Sequence, residues 1–188
     1  MNDMTDIDYG PLSELIGIWQ GDKGLDVAPE PDGSEENPYY ETITYSAIGD
    51  VTNAETQTLS VVHYRQIVQR KSNDDIFHDE TGYWMWDPHS AMIMHSLVIP
   101  RAVCVLAGGH YTPPDNPIEP ISIDVSAHLN DKDWSIIQSP FMQQNARTTA
   151  FRQKITVANG KLSYFENTTV DIYGKAFEHT DQNELFLQ

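Results

Sequence analysis

The stretch NGKLSYFENTTVDIYGKAFEHTDQNELFLQ, residues 159–188, decides the fold because turn signals separate strand-like runs within it. Asn159-Gly160 is the strongest short hairpin signal of the chain, and it joins residues 149–157 to residues 162–173. A second turn at Tyr173-Gly174 leads into the final run. The C-terminal segment therefore predicts consecutive antiparallel strands.

The final run contains a histidine that falls in phase with apolar side chains. Side chains of a strand alternate between its two faces, which places His179 on the same face as Phe177, Leu185 and Leu187. An imidazole that faces the interior of a β structure needs a partner. That partner is either a hydrogen-bonding group, which is the common case for buried polar atoms, or a metal. The strand pattern alone leaves both readings open.

Strand-like runs rich in β-branched and aromatic residues continue through most of the chain. Those upstream of the C-terminal segment cover residues 39–47, 57–69, 76–86, 92–99, 101–106 and 121–129, and a glycine-framed tryptophan at residues 17–24 marks the first strand. About ten antiparallel strands with short connections predict a single all-β domain over residues 1–188, either a sandwich or an up-and-down barrel. Residues 9–18 predict a short helix, residues 1–8 a flexible terminus, and residues 28–38 and 111–120 loops.

The charge balance limits the classes of partner. Lysine and arginine total 11 against 28 aspartate and glutamate, which gives a net charge of -17. Nucleic acid and anionic membrane surfaces would be repelled, and no basic patch opposes this. The single cysteine excludes an intramolecular disulfide, the N-terminus lacks a signal-peptide pattern, and no apolar run has the length of a membrane span. We therefore expect a cytoplasmic protein with a small-molecule partner; a homodimer is compatible with the sequence.

No familiar catalytic motif accompanies the strands. The chain has neither a Gly-x-Ser-x-Gly elbow nor a His-Glu-x-x-His pair. His78 shares a strand face with Trp84, and His95 is in phase with Ile93 and Leu97. A barrel with this number of strands can hold one small ligand in its interior. The alternative is that these aromatic and apolar side chains only fill a core.

Three motifs together resemble the nitrobindin family, haem-binding β-barrels that are similar to fatty-acid-binding proteins and also form the C-terminal domain of a human zinc-finger protein. The first motif is residues 11–21, PLSELIGIWQG, and the second is residues 77–84, FHDETGYW. The third is residues 160–164, GKLSY, followed by a histidine near the C-terminus, here His179. The first motif departs from the family pattern after Gly21, because Lys23 stands where a glycine belongs and Gly24 is shifted by one position.

The resemblance implies a ten-stranded antiparallel barrel that binds ferric haem b through His179 as the iron ligand. It places His78 near the haem and marks Trp19 and Thr168 as further haem-binding positions. It also implies nitric oxide binding or the isomerisation of peroxynitrite to nitrate. The alternative is a haem-free carrier of a fatty acid or another small apolar ligand, in which His179 is a hydrogen-bonded core residue.

Overall fold

A computed structural model describes residues 7–116 and 118–188, so most of the predicted flexible terminus lies outside the described residues. Within these ranges the chain forms a 3-10 helix (Gly10–Leu15), eleven strands and one short helix. The strands are β1 (Gly17–Glu30), β2 (Gly33–Asn53), β3 (Gln57–Arg70), β4 (Ile76–Asp87), β5 (Met92–Ile99), β6 (Val103–His110), β7 (Ile121–His128), β8 (Ile136–Gln138), β9 (Ala146–Ala158), β10 (Lys161–Ile172) and β11 (Lys175–Leu187), and the helix is α1 (Pro140–Asn145).

The strands close into an antiparallel barrel. Neighbouring strands follow the order β5-β4-β3-β2-β1-β11-β10-β9-β7-β6, the pairing of β5 with β6 completes the ring, and β8 lies outside it on β6. The predicted ten-stranded barrel is therefore confirmed, with β8 as one extra strand. The turn at Asn159-Gly160 is also confirmed, since both residues have positive φ and connect β9 directly to β10.

The barrel interior divides into a packed end and an open end. The 3-10 helix covers the packed end with its buried Leu12 and Leu15. Trp19 is almost fully buried there, and its Nε1–H donates a hydrogen bond of 2.7 Å to the carbonyl of Leu15. Because the indole bonds to the helix backbone, it attaches this cover to the first strand of the barrel.

The prediction of a loop over residues 28–38 is wrong for most of that segment. β1 continues to Glu30 and β2 begins at Gly33, with Pro29 opposite Ser34 across the ribbon. Proline and glycine made this segment look irregular, but proline is tolerated where its missing N–H is not needed by the ladder. The only turn is at residues 31–32, and the end of the hairpin lies at the rim of the open end.

A β-bulge in β1 explains the displaced glycine of the first motif. The register of β1 shifts between Gly21 and Gly24 against β2, and a shift also occurs against β11. The additional residue lets Lys23 point outward, where its Nζ lies 2.8 Å from the Glu184 carboxylate. Gly24 has to be a glycine, because a Cβ there would come within 2.1 Å of the Tyr39 ring.

The junction between β6 and β7 has the fewest paired residues of the ring. A single pair, Gly108 with Ser126, joins these strands, and β8 pairs with the first half of β6 instead. The indole of Trp134 packs against Gly108 so closely that a Cβ there would lie 2.3 Å from the ring.

Within the described ranges, no helix is long and apolar enough to cross a membrane.

Candidate functional site

The open end of the barrel contains a cavity of about 430 Å³. One part of its wall is apolar, formed by Val68, Phe77, Leu97, Ile99, Val103, Val105, Met142, Phe151, Val170 and Ile172. The other part carries six carboxylates, on Asp26, Glu30, Glu35, Glu80, Glu166 and Asp181. Four basic side chains, Arg70, Arg101, His78 and His179, and the neutral polar residues Asn37, Gln66, Thr148 and Thr168 also belong to the polar part. The volume lies in the range of small-molecule pockets.

His179 faces this cavity from β11, as its alternation predicts. Its Nε2 lies 2.5 Å from Oδ1 of Asp26 and 3.6 Å from Oδ2 of Asp181. Burial alone lowers the pKa of His179, but the hydrogen bond to Asp26 and the charges of both carboxylates outweigh it, so the pKa lies above its ordinary value. The acidic neighbours of the imidazole therefore favour its charged form.

Strand pairing brings these three residues together. Asp26 of β1 lies directly opposite Asp181 of β11, and His179 is two residues along the same face of β11. Asp26 is almost fully buried, and Nδ2 of Asn37 donates a hydrogen bond of 3.0 Å to its Oδ2. Nε of Arg70 in turn donates to Oδ1 of Asn37 at 3.0 Å. The β1–β2 hairpin thus fixes the position of the Asp26 carboxylate.

His78 enters the cavity from β4 and leads to a second polar group. Its Nε2 lies 3.4 Å from the carboxylate of Glu80, which also accepts a hydrogen bond from the Tyr64 hydroxyl. Burial lowers the pKa of His78, yet Glu80 raises it more, so the net shift is upward. Beyond Tyr64, His95 places its Nε2 2.8 Å from the same hydroxyl and stacks on Trp84. Burial lowers the pKa of His95 to about 4, which keeps that imidazole neutral.

The structure places three of the four sequence-derived site residues on the cavity wall. His179, His78 and Thr168 line it, and Thr168 is paired with His179 across β10 and β11. Trp19 does not line this cavity and belongs to the packed end. Three of the residues that the resemblance marks therefore share one cavity, and Trp19 lies apart from them.

Sequence reasoning missed most of the acidic residues of the cavity. Glu80 could have been found, because it lies two positions from His78 and therefore on the same face of β4. Asp26 had no local signal, since its neighbours on β11 are more than 150 residues away in sequence. Glu166 lines the cavity as well, and burial raises its pKa well above the ordinary value of a glutamate.

Comparison with known families identifies the chain. The profile of a family described as "THAP4-like, heme-binding beta-barrel domain" matches residues 8–186. This protein belongs to that family. Membership confirms the nitrobindin-like resemblance seen in the three motifs and makes haem the ligand characteristic of the family. Comparison with curated protein sequences gives no significant match.

A solved structure shares the fold of this family member. The crystal structure of Rv2717c from M. tuberculosis superposes with a TM-score of 0.71 at 20% sequence identity. The alignment covers 96% of this chain and 99% of that one. At this identity the likeness establishes the same barrel architecture across nearly the whole chain.

The residues of the cavity fit a haem. A porphyrin is a flat apolar ring with two carboxylates, and the cavity offers an apolar wall together with Arg70 and Arg101. His179 supplies the imidazole that can ligate haem iron. Its Nε2 is engaged by Asp26, so an iron bound at that atom has to replace this contact.

Proposed function

We propose that this protein binds ferric haem b in the cavity with His179 as the protein ligand of the iron, and that the site binds nitric oxide or isomerises peroxynitrite to nitrate. The observation that carries the proposal is an imidazole facing an apolar-walled cavity in a member of a haem-binding family. A haem held by one imidazole supplies an iron with one free coordination position for a small ligand.

The residues around His179 support its role as a ligand. A carboxylate that is hydrogen-bonded to a histidine fixes the orientation of the ring. Asp26 does this in the haem-free protein, because its Oδ1 contacts Nε2 of His179 while the amide of Asn37 holds Oδ2. The hydrogen bond of 2.5 Å between Asp26 and His179 thus selects one orientation of the ring at the cavity wall.

His78 can act on an anionic ligand from elsewhere on the wall. Its upward-shifted pKa favours the imidazolium form, which donates hydrogen bonds and carries positive charge. Peroxynitrite is an anion, so a protonated His78 would stabilise it inside a cavity that is otherwise strongly acidic. Glu80 orients the ring and, as a buried carboxylate beside it, favours the protonated form.

The decisive experiment is a visible-absorption titration of the purified protein with ferric haem. We expect a saturable Soret shift at about one equivalent, which His179→Ala abolishes. His128→Ala is the matched control, because His128 is exposed on β7 and does not line the cavity. No shift in the wild type, or an unchanged spectrum in His179→Ala, would refute the assignment.

Two further measurements separate the finer parts of the proposal. Stopped-flow decay of peroxynitrite with the haem-loaded protein should be faster than with the haem-free protein, and His78→Ala should slow it at unchanged haem stoichiometry. Mass spectrometry of material extracted from the purified protein tests the alternative carrier, which would retain a fatty acid or a similar molecule and no iron.

A further inference from the structure

Three metal-binding atoms of the cavity lie close enough to share one ion. One ligand atom each of Asp26, His179 and Asp181 lies within 4.8 Å of the other two. Nε2 of His179 is 2.5 Å from Oδ1 of Asp26 and 3.6 Å from Oδ2 of Asp181. Zinc binds carboxylate oxygen and imidazole nitrogen at about 2.0–2.2 Å, which places two ligands of the same ion about 3–3.5 Å apart. Side-chain rotations that lengthen the Asp26–His179 distance and bring the two carboxylates closer together would give the three atoms that separation.

The pairing of the two aspartates concentrates negative charge on the inner face of the barrel. Like charges directly opposite on neighbouring strands destabilise a sheet, and Asp26 and Asp181 occupy such a pair. His179 is the basic side chain in contact with this pair, and the charge of His78 acts on Asp181 from farther away. Among residues 7–116 and 118–188, no side chain donates a hydrogen bond to the Asp181 carboxylate, whose nearest basic contact is His179 at 3.6 Å.

We propose that the haem-free protein binds one zinc ion through Asp26, His179 and Asp181. Two carboxylates and one imidazole form a three-ligand set of the kind that leaves a fourth position for water. A divalent cation supplies the charge that the aspartate pair lacks, and it replaces the proton now shared between Asp26 and His179.

The surroundings of the three residues suit a metal centre. Asn37 holds Oδ2 of Asp26, which leaves Oδ1 directed at the cavity, and Arg70 holds Asn37 in turn. Such outer hydrogen bonds orient ligands and strengthen metal binding. The site lies on three paired strands, β2, β1 and β11, so its backbone is fixed before the ion arrives.

The zinc site goes beyond the proposed haem function, and it stands whether or not haem binds. Zinc and the haem iron would each bind Nε2 of His179. One nitrogen cannot ligate both metals at the same time. Zinc at the site should therefore raise the haem concentration needed for half-saturation; this last consequence alone rests on the proposed function.

The test is isothermal titration calorimetry of chelator-treated, haem-free protein with zinc chloride. We expect one equivalent to bind in the wild type and at least tenfold weaker binding in Asp181→Asn and in Asp26→Asn. Glu30→Gln is the matched control, because it removes a carboxylate of the same cavity wall outside the three-atom cluster and should leave the affinity unchanged. Cobalt(II) should give a visible d–d absorption in the wild type that Asp181→Asn removes.

The outcomes distinguish this inference from the haem proposal. Absence of saturable zinc binding, or binding that neither aspartate substitution weakens, overturns the zinc site and leaves the haem titration unaffected. Zinc binding without a Soret shift overturns haem binding alone. A Soret shift retained in Asp181→Asn would show that this variant is folded, so that its loss of zinc affinity reports the missing ligand.

Discussion

Glu41 is a carboxylate inside the barrel whose protonation should control stability between acidic and alkaline pH. It lies on β2, is 3% exposed, and accepts hydrogen bonds from the Tyr164 hydroxyl at 3.0 and 3.1 Å and from Nδ2 of Asn183 at 2.7 Å. Burial raises its pKa to about 7, even though both hydrogen bonds act in the opposite direction. We predict that Glu41→Gln removes a pH-dependent loss of stability from the protein.

The sign and size follow from the difference between the folded and unfolded pKa. The folded state has a pKa of about 7 against an ordinary value of 4.5, so the folded protein binds the proton more tightly. The stabilisation that Glu41 gains from binding this proton is complete below pH 4.5 and is lost as the pH rises through 7. At 1.36 kcal/mol per unit, the loss amounts to about 3 kcal/mol, of which about 2–3 kcal/mol falls between pH 5 and pH 8.

Urea denaturation at pH 5 and pH 8 measures this contribution. The free energy of unfolding of the wild type should fall by about 2–3 kcal/mol more than that of Glu41→Gln over this interval. Glu55→Gln serves as the control, because Glu55 is exposed and should leave the pH dependence as in the wild type. Equal pH dependence in the wild type and Glu41→Gln would refute the reasoning, since it would mean that Glu41 has similar pKa values in the folded and unfolded chain.

Two further substitutions test the packing of the barrel. Gly82→Ala should destabilise the protein by about 3 kcal/mol or more in urea denaturation, because the new Cβ would lie 1.9 Å from the carbonyl oxygen of Ser96. Gly33→Ala is the control. A Cβ at Gly33 has no atom within 4 Å, so the free energy of unfolding of this variant should stay within about 0.5 kcal/mol of the wild type. Equal effects of the two would contradict the close β4–β5 approach. Trp19→Phe should lower the free energy of unfolding by about 2–3 kcal/mol, because it leaves a cavity in the core and removes the hydrogen-bond donor to the Leu15 carbonyl. A thermal midpoint equal to that of the wild type would count against this role of Trp19.

The parts of the fold that depend on neighbouring residues could be predicted from the sequence. The Asn159-Gly160 turn and the alternation that turns His179 and His78 inward need only a few consecutive residues, and the structure confirms both orientations. The three family motifs also lie within single elements or adjacent ones. Local turn chemistry and the two-residue period of a strand are sufficient for these features.

The acidic half of the cavity depends on long-range pairing and could not be predicted in this way. Asp26 contacts His179 only because β1 pairs with β11 in one register, which closes the barrel between its two ends. The bulge before Gly24 sets that register, and its effect on facing side chains cannot be read without the partner strand. The short strand β8 was missed because its three residues, Ile-Ile-Gln, give no polar–apolar alternation in the sequence, although their burial alternates in the structure.

The single pair between β6 and β7 gives the barrel wall an uneven resistance to opening. Separating β9 from β10 breaks a ladder that extends over the whole of β10, whereas parting Gly108 from Ser126 breaks only one pairing. Local opening requires the least free energy where the fewest bonds hold. Backbone amides of β6 that face β7 should therefore exchange their hydrogens with solvent sooner than those of β10.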